Sequence, residues 1–202
     1  MKETIGLISG ILVVLSVVPY AIRTYEGKIK PNITSWSIWS VLGLALLLTY
    51  KSSGAEANIW PAVFGFTNPT LVTLLALRHR HTWEKPTIVD KSCLVVGIMA
   101  IVLWFFVHHD KQVVQYALYI AILADLCAAI PTIYLVWRNP EVDRPFAWAL
   151  FAVGYGLGAL AITEHTFANY VLPLYMLCGG LFVSIPLALH RIKTKAPISE
   201  WA

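Results

Sequence analysis

Pro19, Trp36 and Pro61 return as Pro131, Trp148 and Pro173, each 112 residues further along the chain. A proline–tryptophan–proline frame repeated at one spacing implies a single structural unit used twice. Any fold for this chain has to build the same elements in both copies and set the copies side by side.

Composition says what those elements are. Hydrophobic residues make up 58% of the 202 positions and charged residues only 13%, against roughly 25% charged in a soluble domain. A membrane-spanning helix needs about 20 mostly apolar residues. Seven stretches qualify: 5–24, 34–51, 58–78, 92–108, 113–136, 145–163 and 168–190. The expected fold is an all-α membrane protein with short loops and no soluble domain. The first stretch lacks a basic leader and a small-residue cleavage site, so it reads as a membrane helix and not as a signal peptide.

The basic residues sort by loop. Arg23, Lys28, Lys30, Arg78, Arg80, Lys85, Lys91, Arg138, Arg144, Arg191, Lys193 and Lys195 fall on one side, and only Lys2, Lys51 and Lys111 on the other. The positive-inside rule then places the N-terminus outside and the C-terminus in the cytoplasm, in a cell or inner membrane. The net charge of +4 follows from this topology and does not call for a nucleic-acid partner. The glycosylation sequon Asn32-Ile33-Thr34 falls on the cytoplasmic side and is discounted.

At the 112-residue offset the first three helices overlay the last three, and the fourth has no counterpart. The expected organisation is a first triple-helix repeat (1–84), a linker helix (85–112), and a second repeat with a short cytoplasmic tail (113–202). One extra crossing gives both triplets the same orientation, so they form two parallel three-helix bundles. The overlay also sets Trp39 on Phe151 and Tyr25 on Trp137. Proline within a helix removes a backbone hydrogen bond and kinks it. Pro19 and Pro131, at matching positions, read as a pair of hinges, the alternative being static bends.

The run Val18-Pro19-Tyr20-Ala21-Ile22-Arg23-Thr24-Tyr25, followed by Ser35-Trp36, Gly43, Tyr50 and Asn68-Pro69-Thr70-Leu71, resembles the SWEET/SemiSWEET and PQ-loop superfamily. Ile130-Pro131-Thr132-Ile133-Tyr134 with Trp148 resembles the same unit, further diverged. The resemblance covers nearly all of the chain outside the linker helix. Both signature dipeptides lack the glutamine. The resemblance implies a facilitative or proton-coupled carrier in which two bundles enclose a pocket and rock between outward-open and inward-open states. It places Asn68 against the substrate. The second-copy counterpart of Asn68 is Gly180, and the family's second-helix tryptophan falls on Leu47 and Ala159. These departures leave the solute open, sugar included.

Asp125 is the one acidic residue of eleven that lies inside an expected helix. A carboxylate at mid-membrane costs about 2.5–3.5 kcal/mol on insertion scales and faces a cavity or a partner. It reads either as a proton-coupling or substrate-amine site, or as a structural carboxyl bonded to a neighbouring Tyr or Thr. Asn68 precedes Pro69, which frees a carbonyl near residue 65. Amide and carbonyl would together bind a polar ligand, or the amide would tie two helices. Tyr20 and Thr132, next to the two prolines, join Asn68 on the expected substrate path. Among aromatics, Tyr20, Trp39, Trp60, Tyr155 and Tyr175 are candidates to stack on a solute. No more than two are expected in the pocket, Trp39 and Tyr155 first. Trp36, Trp83, Trp104, Trp137 and Trp148 lie near helix ends and read as interfacial anchors.

Gly154 and Gly158 form a small-xxx-small pair for close helix packing, and Gly179 and Gly180 are assigned the same role. His79, His81, His108, His109, His165 and His190 fall at helix ends or in loops, with His165 beside Glu164 as a potential pH-sensing pair. Cys93, Cys127 and Cys178 lack metal or redox spacing. No cofactor, metal or catalytic constellation is expected, so the chain is not read as an enzyme. The expected partners are a small polar solute, the lipid bilayer and a second copy in a homo-oligomer. The rival readings are a vitamin-precursor carrier of PnuC type, which shares the three-one-three layout, and a seven-helix sorting receptor with a basic cavity.

Overall fold

The computed structural model describes residues 1–28, 31–78 and 85–201. Lys30, His79, Arg80, His81 and Trp83 lie outside the described residues. Seven α-helices account for nearly all of the rest: α1 (Lys2–Tyr25), α2 (Ile33–Ser52), α3 (Trp60–Arg78), α4 (Ile88–Val107), α5 (Lys111–Arg138), α6 (Pro145–Leu160) and α7 (Phe167–Thr194). Six of them, α3 counted with the 3₁₀ turn before it, are long and apolar enough to cross a membrane.

The exception is α6. The sequence predicts a helix to residue 163, but α6 stops at Leu160 and has 16 residues. At 1.5 Å per residue that is about 24 Å, short of a 30 Å hydrocarbon core. Thr163 and Glu164 cannot prolong it, because their side chains pair across the loop. The Thr163 hydroxyl bonds Glu56 Oε2 (3.0 Å) and Glu164 meets Lys111 (3.2 Å).

Polar caps set several helix starts. Asn32 accepts from the Ser35 amide at the start of α2, and Thr166 accepts from the Asn169 amide at the start of α7. Thr87 and Asp90 form a reciprocal capping box on α4. Asp110 Oδ1 accepts from the amides of Gln112 and Val113 at the start of α5. Each cap satisfies amides that the first turn leaves without an intrahelical partner. At its other end α7 closes with Lys195 in the left-handed region, φ 53°.

Helices α1, α3, α5 and α7 run unbroken through internal prolines. A proline orphans the carbonyl four residues earlier, and in α7 side chains from other helices take up both. Tyr50 Oη donates to the Asn169 carbonyl freed by Pro173 (2.8 Å). Trp137 Nε1 donates to the Phe182 carbonyl freed by Pro186 (2.9 Å).

Six helices close a ring. Going around it, α1 packs on α3, α3 on α2, α2 on α5, α5 on α7, α7 on α6 and α6 back on α1, while α4 lies outside against α2 and α5. Side-chain contacts show that successive helices alternate in direction. At one end Lys2 Nζ donates to the Ile162 carbonyl, Trp104 Nε1 to Ser52 Oγ (2.9 Å), and Lys111 pairs with Glu164. At the other end Arg78 stacks over Tyr25 (4.9 Å), and Arg191 donates to the carbonyls of Pro140 (2.7 Å) and Asp143 (3.0 Å). The three-residue basic set predicted from sequence shares the first end, and the described members of the larger set share the second.

Glycines bring α6 close to its neighbours. A Cβ on Gly154 would lie 2.6 Å from Val13 Cγ2 and 2.9 Å from the Ser9 carbonyl of α1. A Cβ on Gly158 would lie 3.0 Å from Pro61 Cγ of α3. Gly180 is equally tight against α6, 2.9 Å from Ala152 Cβ. Gly179 corrects the sequence expectation: a Cβ there would meet nothing within 4 Å, because the residue faces open space inside the ring.

The outer surface is apolar. Val95, Ile98, Met99, Val102, Phe105 and Phe106 form one exposed stripe on α4, with Phe106 74% exposed. Surface of that kind, continued by exposed Leu74, Tyr134 and Leu160, marks an interaction face and is compatible with an integral membrane protein.

Candidate functional site

The ring encloses a cavity of about 510 Å³. Its mouth lies between Pro31 and Asn32 on one side and Asp143 on the other, at the basic end. Its floor is formed by Leu46, Ala62, Asp125, Tyr175 and Met176. Every residue the sequence assigned to solute binding reaches this cavity: Asn68, Trp39, Tyr155, Thr132 and Tyr20, together with Asp125. Pro19 and Pro131 do not line it. Pro19 is half-buried in α1, and Pro131 is exposed on the outside of α5.

The wall repeats at the same spacing as the chain. Val17 and Ala129, Tyr20 and Thr132, Trp36 and Trp148, Trp39 and Phe151, Gly43 and Tyr155, and Asn68 and Gly180 are pairs 112 apart, and both members of each pair line the cavity.

Two aromatic ladders rise from mouth to floor. On one side Tyr20 packs on Trp36 (centroids 5.0 Å) and Trp36 meets Trp39 edge-on (5.4 Å). On the other Trp148 meets Phe151 (6.3 Å), and Phe151 packs on Tyr155 (4.8 Å). Here two sequence expectations are corrected. Trp36 and Trp148 are cavity residues, not interfacial anchors, because α2 and α6 begin at the mouth and turn their first-turn tryptophans inward. Seven aromatic side chains, not two, line the space. Trp60 lies outside it, 40% exposed and stacked on Phe64 (6.4 Å). Trp104 and Trp137 remain at helix ends, as expected.

Asp125 sits halfway along α5. Tyr175 Oη donates to its Oδ2 at 2.7 Å. Among the described residues the carboxylate has no cationic partner, and Oδ1 has no hydrogen-bond donor. Its remaining accessible surface faces the cavity. Tyr175 was one of five aromatic candidates in the sequence, but nothing there singled it out as the partner of Asp125.

Asn68 serves the packing. Its Nδ2 donates to the Val13 carbonyl of α1 (2.8 Å), and only the rest of the amide borders the cavity. Tyr155 Oη reaches across to the Pro61 carbonyl of α3 (3.1 Å). Ser16 Oγ turns to the Val13 carbonyl (2.7 Å). Much of the wall's hydrogen-bonding capacity is therefore spent within the protein.

Beyond the floor the ring is closed. Asn58 Nδ2 donates to Tyr50 Oη, which in turn donates to the Asn169 carbonyl. Asn169 Nδ2 donates to the Glu164 carbonyl (2.8 Å). Tyr50, Asn58 and Asn169 are all buried, within a cluster that includes Ala45, Leu118, Ala121 and Leu172. Among the described residues, only the side-chain carbonyl oxygen of Asn169 is buried without a partner. Nothing in the sequence flagged this plug, whose tyrosine and acceptor stand 119 residues apart.

The remaining candidates fall elsewhere. His165 Nδ1 meets Tyr170 Oη (2.7 Å), so it does not pair with Glu164, which Lys111 holds instead. The rings of His108 and His109 lie against each other, tilted by 44°, and His190 lies 3.6 Å from Glu141. Cys93 and Cys127 share one apolar cluster, whereas Cys178 is exposed on the outer surface. No group of three metal-ligating side chains occurs among the described residues. No family model matches the chain, and neither a curated protein nor a solved structure matches it.

Proposed function

We propose that the protein is a membrane carrier that moves a small polar solute by alternating access between two three-helix repeats. The repeats are α1–α3 and α5–α7, with α4 as linker, in the layout of the SWEET and PQ-loop carriers that the sequence resembles. The observation that carries the reading is a cavity open at one end of the ring and plugged at the other, walled by residue pairs 112 apart. A pore would be open at both ends, and a static binding pocket has no need of a two-fold wall. Carriers built from parallel repeats place their substrate where the repeats meet.

The order of helices around the ring supports the pairing. Exchanging α1 with α5, α2 with α6 and α3 with α7 returns the same set of neighbours. In this reading the apolar outer surface lies in lipid, and the basic end, with the cavity mouth, faces the cytoplasm. The state described is then inward-open, with Tyr50, Asn58 and Asn169 closing the outer side. Pro19 and Pro131 are the hinges, and Asp125 is the proton-coupling group. The sorting-receptor alternative needs a basic cavity, but the described residues lining this one include no Lys, Arg or His. We assign the protein no catalytic role.

The test is uptake into proteoliposomes of a panel of sugars, amino acids, amines and vitamin precursors, with and without a pH gradient. The proposal expects saturable uptake of at least one solute, accelerated by counter-substrate on the far side. Linear, non-saturating flux or none across the whole panel would remove it.

A further inference from the structure

Resting on the carrier reading, we propose that the cavity selects an organic monocation, an amine or quaternary ammonium on a small body, with Asp125 as its counter-ion. Three observations converge. The described residues lining the cavity include two carboxylates, Asp125 at the floor and Asp143 at the mouth, and among them there is no Lys, Arg or His. The rest of the chain is basic, with a net charge of +4, so the acidic lining runs against the charge of the protein around it.

The second observation is the state of Asp125. Tyr175 occupies one carboxylate oxygen, and the other faces the cavity with no partner among the described residues. A carboxylate built to stabilise a fold would be fully paired, because an unpaired charge away from water is costly. This one is half satisfied and open toward a space of about 510 Å³, within the size range of small-molecule sites. A partner for it can come from solution, and a cation would complete the pair with its charge as well as its hydrogen bond.

The third is the wall between the two carboxylates. The ladders Tyr20–Trp36–Trp39 and Trp148–Phe151–Tyr155 present ring faces and edges along the whole path. The negative face of an aromatic ring attracts a cation, and Trp does so best. A neutral polyol would instead need many free donors and acceptors. Here Ser16, Asn68 and Tyr155 give hydrogen bonds back to the backbone. A cation would enter past Asp143, held there by Trp148 Nε1 (2.8 Å), pass between the ladders and stop at Asp125. Proton and cation would then occupy the same carboxylate by turns.

The test uses the purified full-length chain and two matched probes, choline and its uncharged isostere 3,3-dimethyl-1-butanol, titrated by calorimetry. The proposal expects choline to bind at least about tenfold more tightly, the usual scale for one charged partner in a desolvated site. Asp125→Asn should erase that preference and Asp125→Glu should keep it. Equal binding of the two probes, or an Asp125→Asn protein that still prefers choline, would overturn the proposal. If Asp125→Asn does not fold, the comparison of probes on the native chain decides alone. Labelled-choline counterflow in proteoliposomes separates this proposal from the carrier reading. Charge-selective binding without counterflow would sink the carrier and leave the cation site standing. Transport of neutral solutes with no preference for charge would do the reverse.

Discussion

The two walls of the cavity share a skeleton and differ in what hangs on it. Trp36 corresponds to Trp148 and Trp39 to Phe151, so the frame of each wall is the same. Among the positions where the copies part, three stand out. Val13 of α1 corresponds to Asp125 of α5, Asn68 of α3 to Gly180 of α7, and Gly43 of α2 to Tyr155 of α6. The like positions are bulky and set the shape of the path. The unlike ones hold most of its chemistry. A motion that rocks two halves needs them alike in packing, whereas a site for one solute needs only one carboxylate. In the proposed carrier, symmetry would serve the movement and asymmetry the recognition.

The largest expected effect comes from removing that asymmetry at Asp125. Asp125→Asn keeps the shape and the Tyr175 contact but loses the charge, and uptake should fall by two orders of magnitude or more. Initial rates in proteoliposomes of matched protein content check this. Unchanged uptake and unchanged pH dependence would show the two walls to be equivalent after all.

Packing comes next. Gly154→Ala drives a methyl group into Val13 and the Ser9 carbonyl, and should cost about 1–3 kcal/mol in thermal unfolding in detergent. Gly179→Ala, on the open side of α7, should stay within about 0.5 kcal/mol of the native protein. A reversal of that order would mean that α6 is not held where the ring requires it.

Tyr50→Phe removes the hydroxyl that links Asn58 to the Asn169 carbonyl. Losing one buried bridge should favour opening of the plugged end by about 1–2 kcal/mol. The readout is thiol labelling of an Ala55→Cys protein, buried beside the plug, which should accelerate about 5- to 30-fold. The smallest effect belongs to Asn68→Ala. Its amide ties α3 to α1, and such bonds average about 0.6 kcal/mol in membranes. Stability should drop by about that amount, and solute affinity should change less than threefold.

Much of this was legible in the sequence, for definable reasons. Six of the seven helices follow from apolar runs, and four of them start at a side-chain cap, because run length and capping are local properties. The 112-residue spacing pointed to the paired wall before any geometry was known. The end of α6 was misplaced because Ala161 and Ile162 continue the apolar run, and only the pairing of Thr163 and Glu164 across the loop shows where the helix stops. Trp36 and Trp148 were assigned to the interface because a tryptophan in the first turn of a helix looks the same whether it faces lipid or a cavity mouth. A signal was nonetheless present. Residues 148, 151 and 155 stand at i, i+3 and i+7 on one helical face, as do 36, 39 and 43, so the aromatics of each helix had to point the same way. The plug of Tyr50, Asn58 and Asn169 left no such trace. Its contacts join distant segments through backbone carbonyls, which a sequence does not mark.

In the proposed carrier the two ends of the ring open in opposition. Spin labels at Glu56 and Thr163 span the plugged end, and labels at Glu26 and Glu141 span the open end. Pulsed electron–electron distance measurements in nanodiscs, with and without a transported solute, read both ends in the same preparation. The account predicts that solute lengthens the first distance in a fraction of molecules while shortening the second in the same fraction. Distances that stay fixed under every solute and pH, or that lengthen together, would contradict it.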